Sequence, residues 1–184
     1  MNAIETKLKG CFILEPVIIT DERGYFFEAF NDKKLEEILG FDPGFVQDNQ
    51  SKSSYGVIRG LHLQKGEFAQ AKLVRVLEGT VLDVAVDARP ESETFGQFVM
   101  VELSAENKRQ LYVPRGFLHG FSVISESATF FYKCDNYYHK LSEEGVHPLD
   151  KTIGINWQIP EDKMILSQKD KELQSFENFK SKLI

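Results

Sequence analysis

Over residues 57–87 the chain reads VIRGLHLQKGEFAQAKLVRVLEGTVLDVAVD, and apolar and polar positions alternate through most of it. Strand residues two apart share a face. Lys72, Val74 and Val76 therefore point one way while Leu73, Arg75 and Leu77 point the other; in the next run Leu82, Val84 and Val86 oppose Asp83, Ala85 and Asp87. This pattern predicts a strand ending near Arg59 and His62, then a hairpin through Glu78-Gly79 that carries Lys72, Arg75 and Asp83. Similar β segments are expected at 11–19 and 25–30, around a turn at Asp21-Glu22-Arg23-Gly24, with a short strand at 45–49. A second hairpin turn is expected at Ala105-Glu106-Asn107, then strands at 117–124 and 129–138. Helical signals are few. Asn31 reads as an N-cap and Gly40 as a stop around Leu35, Ile38 and Leu39, and a small helix over 166–176 would be capped by Ser167. Short strands at this spacing predict an all-β sandwich or barrel rather than βαβ units. One domain over 1–184 is expected.

Composition narrows the class. A chain of 184 residues, 42% hydrophobic and 27% charged, suits one soluble domain with a sizeable core. Fifteen Phe and six Tyr favour β structure and stacking surfaces. The net charge of −6 argues against a broad nucleic-acid surface, which needs a basic stripe. A local basic pocket can still attract a small anion. Cys11 and Cys134 show neither CxxC spacing nor a disulfide pattern, so a reducing cytoplasm is the expected setting. Glu15, Asp21 and Glu22 interrupt the opening stretch, so no signal peptide is expected. No run approaches the roughly 20 apolar residues of a membrane span.

The alternating strands hold more ionisable groups than packing requires. His62 lies near Arg59 and Lys72 and suits a general base at neutral pH, although a core histidine bonded to the backbone reads the same way. His119 sits in PRGFLHGF, where Pro and Gly make a tight loop that presents it at a strand edge, as either a functional or a turn histidine. A metal site built from two His one residue apart, a nearby Glu and a distant His is only half present. Gln64 stands where the second His belongs, and it is a poor ligand. No metal is expected, with Glu67 and Glu78 as the conceivable substitutes. Tyr132, Tyr137 and Tyr138 follow in FFYKCDNYYH; a tyrosine opposite a histidine base would place acid and base on two faces of a substrate, as inversion at carbon requires. Arg23, Glu28, Gln47 and Asn49 form an earlier polar, turn-associated cluster.

The segments DERGYFFE (21–28), QDNQSKS (47–53), GVIRGLHLQ (56–64), QAKLVRVLEGTVLDVAVDAR (70–89), YVPRGFLHGF (112–121), YKCDNYYH (132–139) and ILSQKD (165–170) are similar, in this order, to those of the dTDP-4-dehydrorhamnose 3,5-epimerase family. That resemblance implies a cupin-like antiparallel jelly roll, a homodimer, and catalysis without metal or organic cofactor. It implies epimerisation of dTDP-4-dehydro-6-deoxy-D-glucose at C3 and C5 to dTDP-4-dehydro-L-rhamnose, a step of dTDP-L-rhamnose biosynthesis. Under it, His62 resembles the base, Tyr132 the acid, Lys72 the cation beside the enolate, and Asp170 the carboxylate that orients His62, with Asp83 as the alternative partner. Arg23, Glu28, Gln47, Asn49, Arg59, His119, Glu143 and Lys169 fall where the family contacts nucleotide or sugar, and Tyr138 resembles the ring that stacks on thymine. Leu63 departs from an aromatic that often follows the catalytic His, which affects pocket shape. Relatives that epimerise C3 alone carry much the same motifs. An exchange of N-terminal strands would place Arg23 and Glu28 in a partner's pocket.

Overall fold

The computed structural model describes residues 1–183. Strands β1 (Asn2–Glu5) and β2 (Phe12–Glu15) are followed by a separate hairpin of β3 (Ile19–Asp21) and β4 (Gly24–Phe26). Helix α1 (Asp32–Leu39) leads into β5 (Gln47–Ser54), β6 (Ile58–Gln64), β7 (Lys72–Glu78) and β8 (Thr80–Asp87). Then come β9 (Phe98–Ser104), β10 (Gln110–Val113), β11 (Phe117–Val123), β12 (Ser127–Cys134) and β13 (Glu143–Gly145). Two short helices, α2 (Gln168–Lys171) and α3 (Phe176–Ser181), complete the order.

Two antiparallel sheets face each other. One is ordered β1-β2-β10-β7-β12-β5 and the other β13-β6-β11-β8-β9. Val74, Val76, Leu111 and Phe130 of the first pack against Val81, Ala85, Leu103 and Phe121 of the second. The second sheet is covered on its outer face as well, where Val84, Val86 and Leu118 meet Trp157, Phe176 and Phe179. That double coverage explains why every residue of β11 is buried. Helix α1 caps the outer face of the first sheet through Leu35. Its ends follow the expected chemistry: Asn31 accepts from the Lys34 N–H, and Gly40 closes it at φ 80°.

Several expectations need correction. Glu78-Gly79 is not a hairpin turn, because β7 and β8 lie in different sheets; the chain crosses the sandwich there, and crosses back between β9 and β10 at Ala105-Glu106-Asn107. The pairs that form instead are β8 with β9 and β7 with β10 and β12. The strand expected over 11–19 ends at Glu15, before Pro16, which lacks the N–H a ladder needs. The helix expected over 166–176 breaks after Lys171. Ser167 does cap α2, but Gln174 bridges to Val146 in extended form, and Ser175 then caps a second helix by accepting from Asn178.

Strands β6 and β11 come close through glycine. A Cβ on Gly60 would stand 2.6 Å from the Gly120 Cα, and one on Gly120 would stand 2.7 Å from the Arg59 carbonyl oxygen. A register shift between His119 and Phe121 accompanies this approach, pairing His119 with His62 and Phe121 with Arg59. Gly120→Ala is therefore expected to push the two strands apart and cost about 1–3 kcal/mol of stability, measured by urea unfolding.

Candidate active site

Between the open edges of the two sheets lies a cavity of about 510 Å³, lined by Arg59, His62, Lys72, His119, Tyr132 and Asp170 among others. A smaller cavity of about 150 Å³ shares His62, Lys72 and Tyr132 and adds Gln47, Asn49, Tyr138 and Glu143. Residues from β5, β6, β7, β11, β12 and α2 thus converge on one space. Arg23 and Glu28 do not. Arg23 pairs with Asp21 on the exposed β3–β4 hairpin, and Glu28 with Lys34 and Asn31.

His62 Nε2 lies 2.6 Å from Asp170 Oδ1, so α2 delivers the carboxylate that β6 needs. An ionised Asp170 holds the ring proton on Nε2 and leaves the lone pair on Nδ1. Burial pushes the Asp170 carboxyl up. The hydrogen bond and charge of His62, with further bonds from Ser167 and the Gly60 N–H, outweigh it and hold the group below the usual carboxylate range. Asp83, the alternative partner for His62, is instead engaged by His119, whose Nε2 stands 3.0 and 3.1 Å from its two oxygens inside the sandwich.

Tyr132 stands on the sheet opposite His62. Burial and the nearby Cys134 raise its pKa against the opposing Arg59, so its hydroxyl stays protonated at neutral pH. The Lys72 ammonium lies 5.9 Å from the Tyr132 ring centroid. Removal from water lowers the Lys72 pKa, with Cys134, Asp83 and Glu143 acting the other way. The Cys134 thiol itself is pushed up to about 11 by burial and stays neutral beside it. Neither Lys72 nor Arg59 enters any of the ion pairs among the described residues. Two basic side chains thus face the cavity outside any ion pair, which fits an anionic occupant or one that becomes anionic.

Glu143 binds this wall together. It sits 2.6 Å from Lys169 Nζ and accepts from the Tyr138 hydroxyl at 2.9 Å. Gln47 and Asn49 are linked at 3.1 Å on the inward face of β5. That face continues through Ser51 and Ser53, which the sequence reading passed over; their period of two in QDNQSKS carried the signal. Gln64, at the position of an absent metal ligand, accepts from the His139 N–H, and Glu78 is bound to Lys52 and Thr129. Among the described residues no cluster of three His, Cys, Asp or Glu has metal-binding geometry. No described helix is long and apolar enough to cross a membrane.

The family model described as dTDP-4-dehydrorhamnose 3,5-epimerase matches residues 5–178. The chain is 52% identical over 173 residues to the dTDP-4-dehydrorhamnose 3,5-epimerase of Escherichia coli strain K12, covering 94% of this chain and 93% of that protein. A crystal structure of dTDP-4-dehydrorhamnose 3,5-epimerase from Elizabethkingia anophelis superposes with a TM-score of 0.94 at 60% identity, over 97% of each chain. A dTDP-6-deoxy-D-glucose-3,5-epimerase from Legionella pneumophila, in complex with dTDP-4-keto-L-rhamnose, gives a TM-score of 0.94 at 49% identity, covering 100% of this chain and 96% of that one.

The depressed Asp170 pKa has a stability consequence with a defined sign. Its contribution is complete above the unfolded-state value of about 4 and is lost as pH falls through the lower folded-state value. The unfolding free energy of wild type relative to Asp170→Asn is therefore expected to shrink as pH is lowered from about 6 to about 3, measured by urea denaturation across that range.

Proposed function

The chain belongs to the dTDP-4-dehydrorhamnose 3,5-epimerase family, isomerase-class enzymes, and from that premise we propose that it inverts C3 and C5 of dTDP-4-dehydro-6-deoxy-D-glucose. The product would be dTDP-4-dehydro-L-rhamnose, and no cofactor is required, because the substrate's own C4 ketone acidifies both protons. The observation that carries this reading is the arrangement of His62 and Tyr132 on opposite sheets across one cavity, with the unpaired Lys72 close to Tyr132.

The steps follow from the chemistry of the groups. The Nδ1 lone pair of His62 takes the proton from C5 or C3, and the C–H electrons move into the ring to give an enolate at the C4 oxygen. Asp170 stabilises the imidazolium that results. Lys72 is costly to keep charged while the cavity holds no anion, because Asp83 and Glu143 offset its desolvation only in part. The enolate supplies the missing counter-charge, so Lys72 interacts more strongly with the reacting state than with the ketone. Tyr132 then returns a proton to the opposite face of the same carbon, and exchange with solvent restores both groups. Gln47, Asn49, Arg59, His119, Glu143 and Lys169 contact the nucleotide sugar, Arg59 through forked donors suited to a diphosphate, and Tyr138 stacks on thymine.

We also propose a homodimer. Ile19, Tyr25 and Phe26 are 61%, 62% and 69% exposed on the β3–β4 hairpin, an apolar surface that a second copy would cover. Docked there, the hairpin would bring Arg23, with Glu28 beyond it, to the partner's cavity.

Incubation with dTDP-4-dehydro-6-deoxyglucose in D2O is expected to place deuterium at C3 and C5, read by NMR. His62→Ala should abolish exchange at both carbons, whereas Tyr132→Phe should impair reprotonation more than proton removal. Uptake at C3 alone would assign a single epimerase, and uptake at neither would defeat the reading.

The exchanged hairpin has its own test. Mixing Arg23→Ala with His62→Ala protomers after dissociation is expected to recover about a quarter of wild-type turnover, as random pairing of two-site dimers dictates. No recovery would return Arg23 to its own subunit's site.

A further inference from the structure

We infer that Ser53 is a positioning residue that selects which edge of the Arg59 guanidinium meets the substrate; this rests on the nucleotide-sugar reading above. Ser53 is the last inward-facing residue of the polar face of β5, after Gln47, Asn49 and Ser51, and is 8% exposed. Its Oγ accepts from Arg59 Nε at 3.1 Å. The bond joins the edge strand β5 of one sheet to β6 of the other, across the side of the sandwich where the large cavity opens.

A guanidinium offers donors along two kinds of edge: a side-on pair that includes Nε, and the end-on pair of the two Nη groups. With Nε committed to Ser53, the side-on edge is occupied. The end-on pair remains for an acceptor in the cavity. Arg59 enters no ion pair among the described residues, so nothing charged competes for that pair. A free arginine side chain has large rotamer freedom, which binding an anion would have to remove. Ser53 removes part of it beforehand. No carboxylate could do this as well, because an anion on Nε would neutralise the charge that the diphosphate is to meet. A hydroxyl orients the guanidinium and leaves its charge intact.

The expected signature is a binding effect that acts only through Nε. Ser53→Ala should raise KM for the nucleotide sugar and Kd for dTDP about tenfold, with kcat within about twofold of wild type. Ser53→Thr and Ser53→Val have the same shape and differ in the hydroxyl; Thr should retain affinity and Val should lose it as Ala does. Calorimetry with dTDP and steady-state kinetics read both. In an Arg59→Lys background, which has no Nε, Ser53→Ala should change Kd by less than about twofold. The inference is overturned if wild type and Ser53→Ala bind dTDP equally, if Thr and Val behave alike, or if the full loss persists beside Arg59→Lys. A wild-type protein that neither binds dTDP nor turns over the sugar would instead remove the nucleotide-sugar reading, and this inference with it. Wild-type activity alongside an unaffected Ser53→Val would remove this inference alone.

Discussion

The 2.6 Å contact between His62 and Asp170 is the interaction on which the rest of the site depends. A bond between a charged group and its partner contributes about 1.5–3 kcal/mol, but its geometric role is larger, since it sets the tautomer and the aim of the ring. Asp170 can serve only if α2 is held against β6. Two features do that: the backbone bonds that tie Ile165, just before α2, to Gly56 and Ile58, and the apolar cluster around Trp157, Phe176 and Phe179 that covers the outer face of the sheet. The cover over one side of the second sheet therefore supports chemistry performed on its other side.

The second organising fact is an imbalance of charge. The buried His119 is matched by Asp83, and Lys169 by Glu143. Lys72 and Arg59 are left unmatched beside the same cavity. A protein bearing a net charge of −6 has no shortage of carboxylates to supply, so the two vacant pairings fit the proposal that an anion is received there. Lys72 lines both cavities beside Tyr132, whereas Arg59 lines only the larger one and is bonded to Ser53 of β5. This separation fits a transient negative charge at one place and a permanent one at another.

Much of this was legible in the sequence where the governing interactions are local. Asn31 and Gly40 bound α1 because capping is settled within four residues. Alternation located the strands and grouped Lys72 with Val74 and Val76, and Asp83 with Ala85, on shared faces, while only the facing sheet shows that these faces point inward. It failed where the deciding contact is distant. Glu78-Gly79 carries the same turn residues whether the chain doubles back or crosses to another sheet, and only pairing with β10, β11 and β12 decides which. Asp83 and Asp170 are alike in type, and the choice between them as partner to His62 was made by the sandwich, which buries Asp83 against His119. Ser53 escaped notice because a serine on a polar strand resembles a solvated one until the facing strand is known.

The sequence distance inside the proposed catalytic pair has a consequence for biosynthesis. His62 and Asp170 are 108 residues apart, and β7, β11 and β12, which bring Lys72, His119 and Tyr132 to the cavity, lie between them. A domain generally folds as a unit, and the cover of the second sheet includes Trp157, Phe176 and Phe179, so the fold around His62 is completed only by the last segment to be made. A chain interrupted before α2 would lack both the carboxylate beside His62 and part of the cover that holds the sheet.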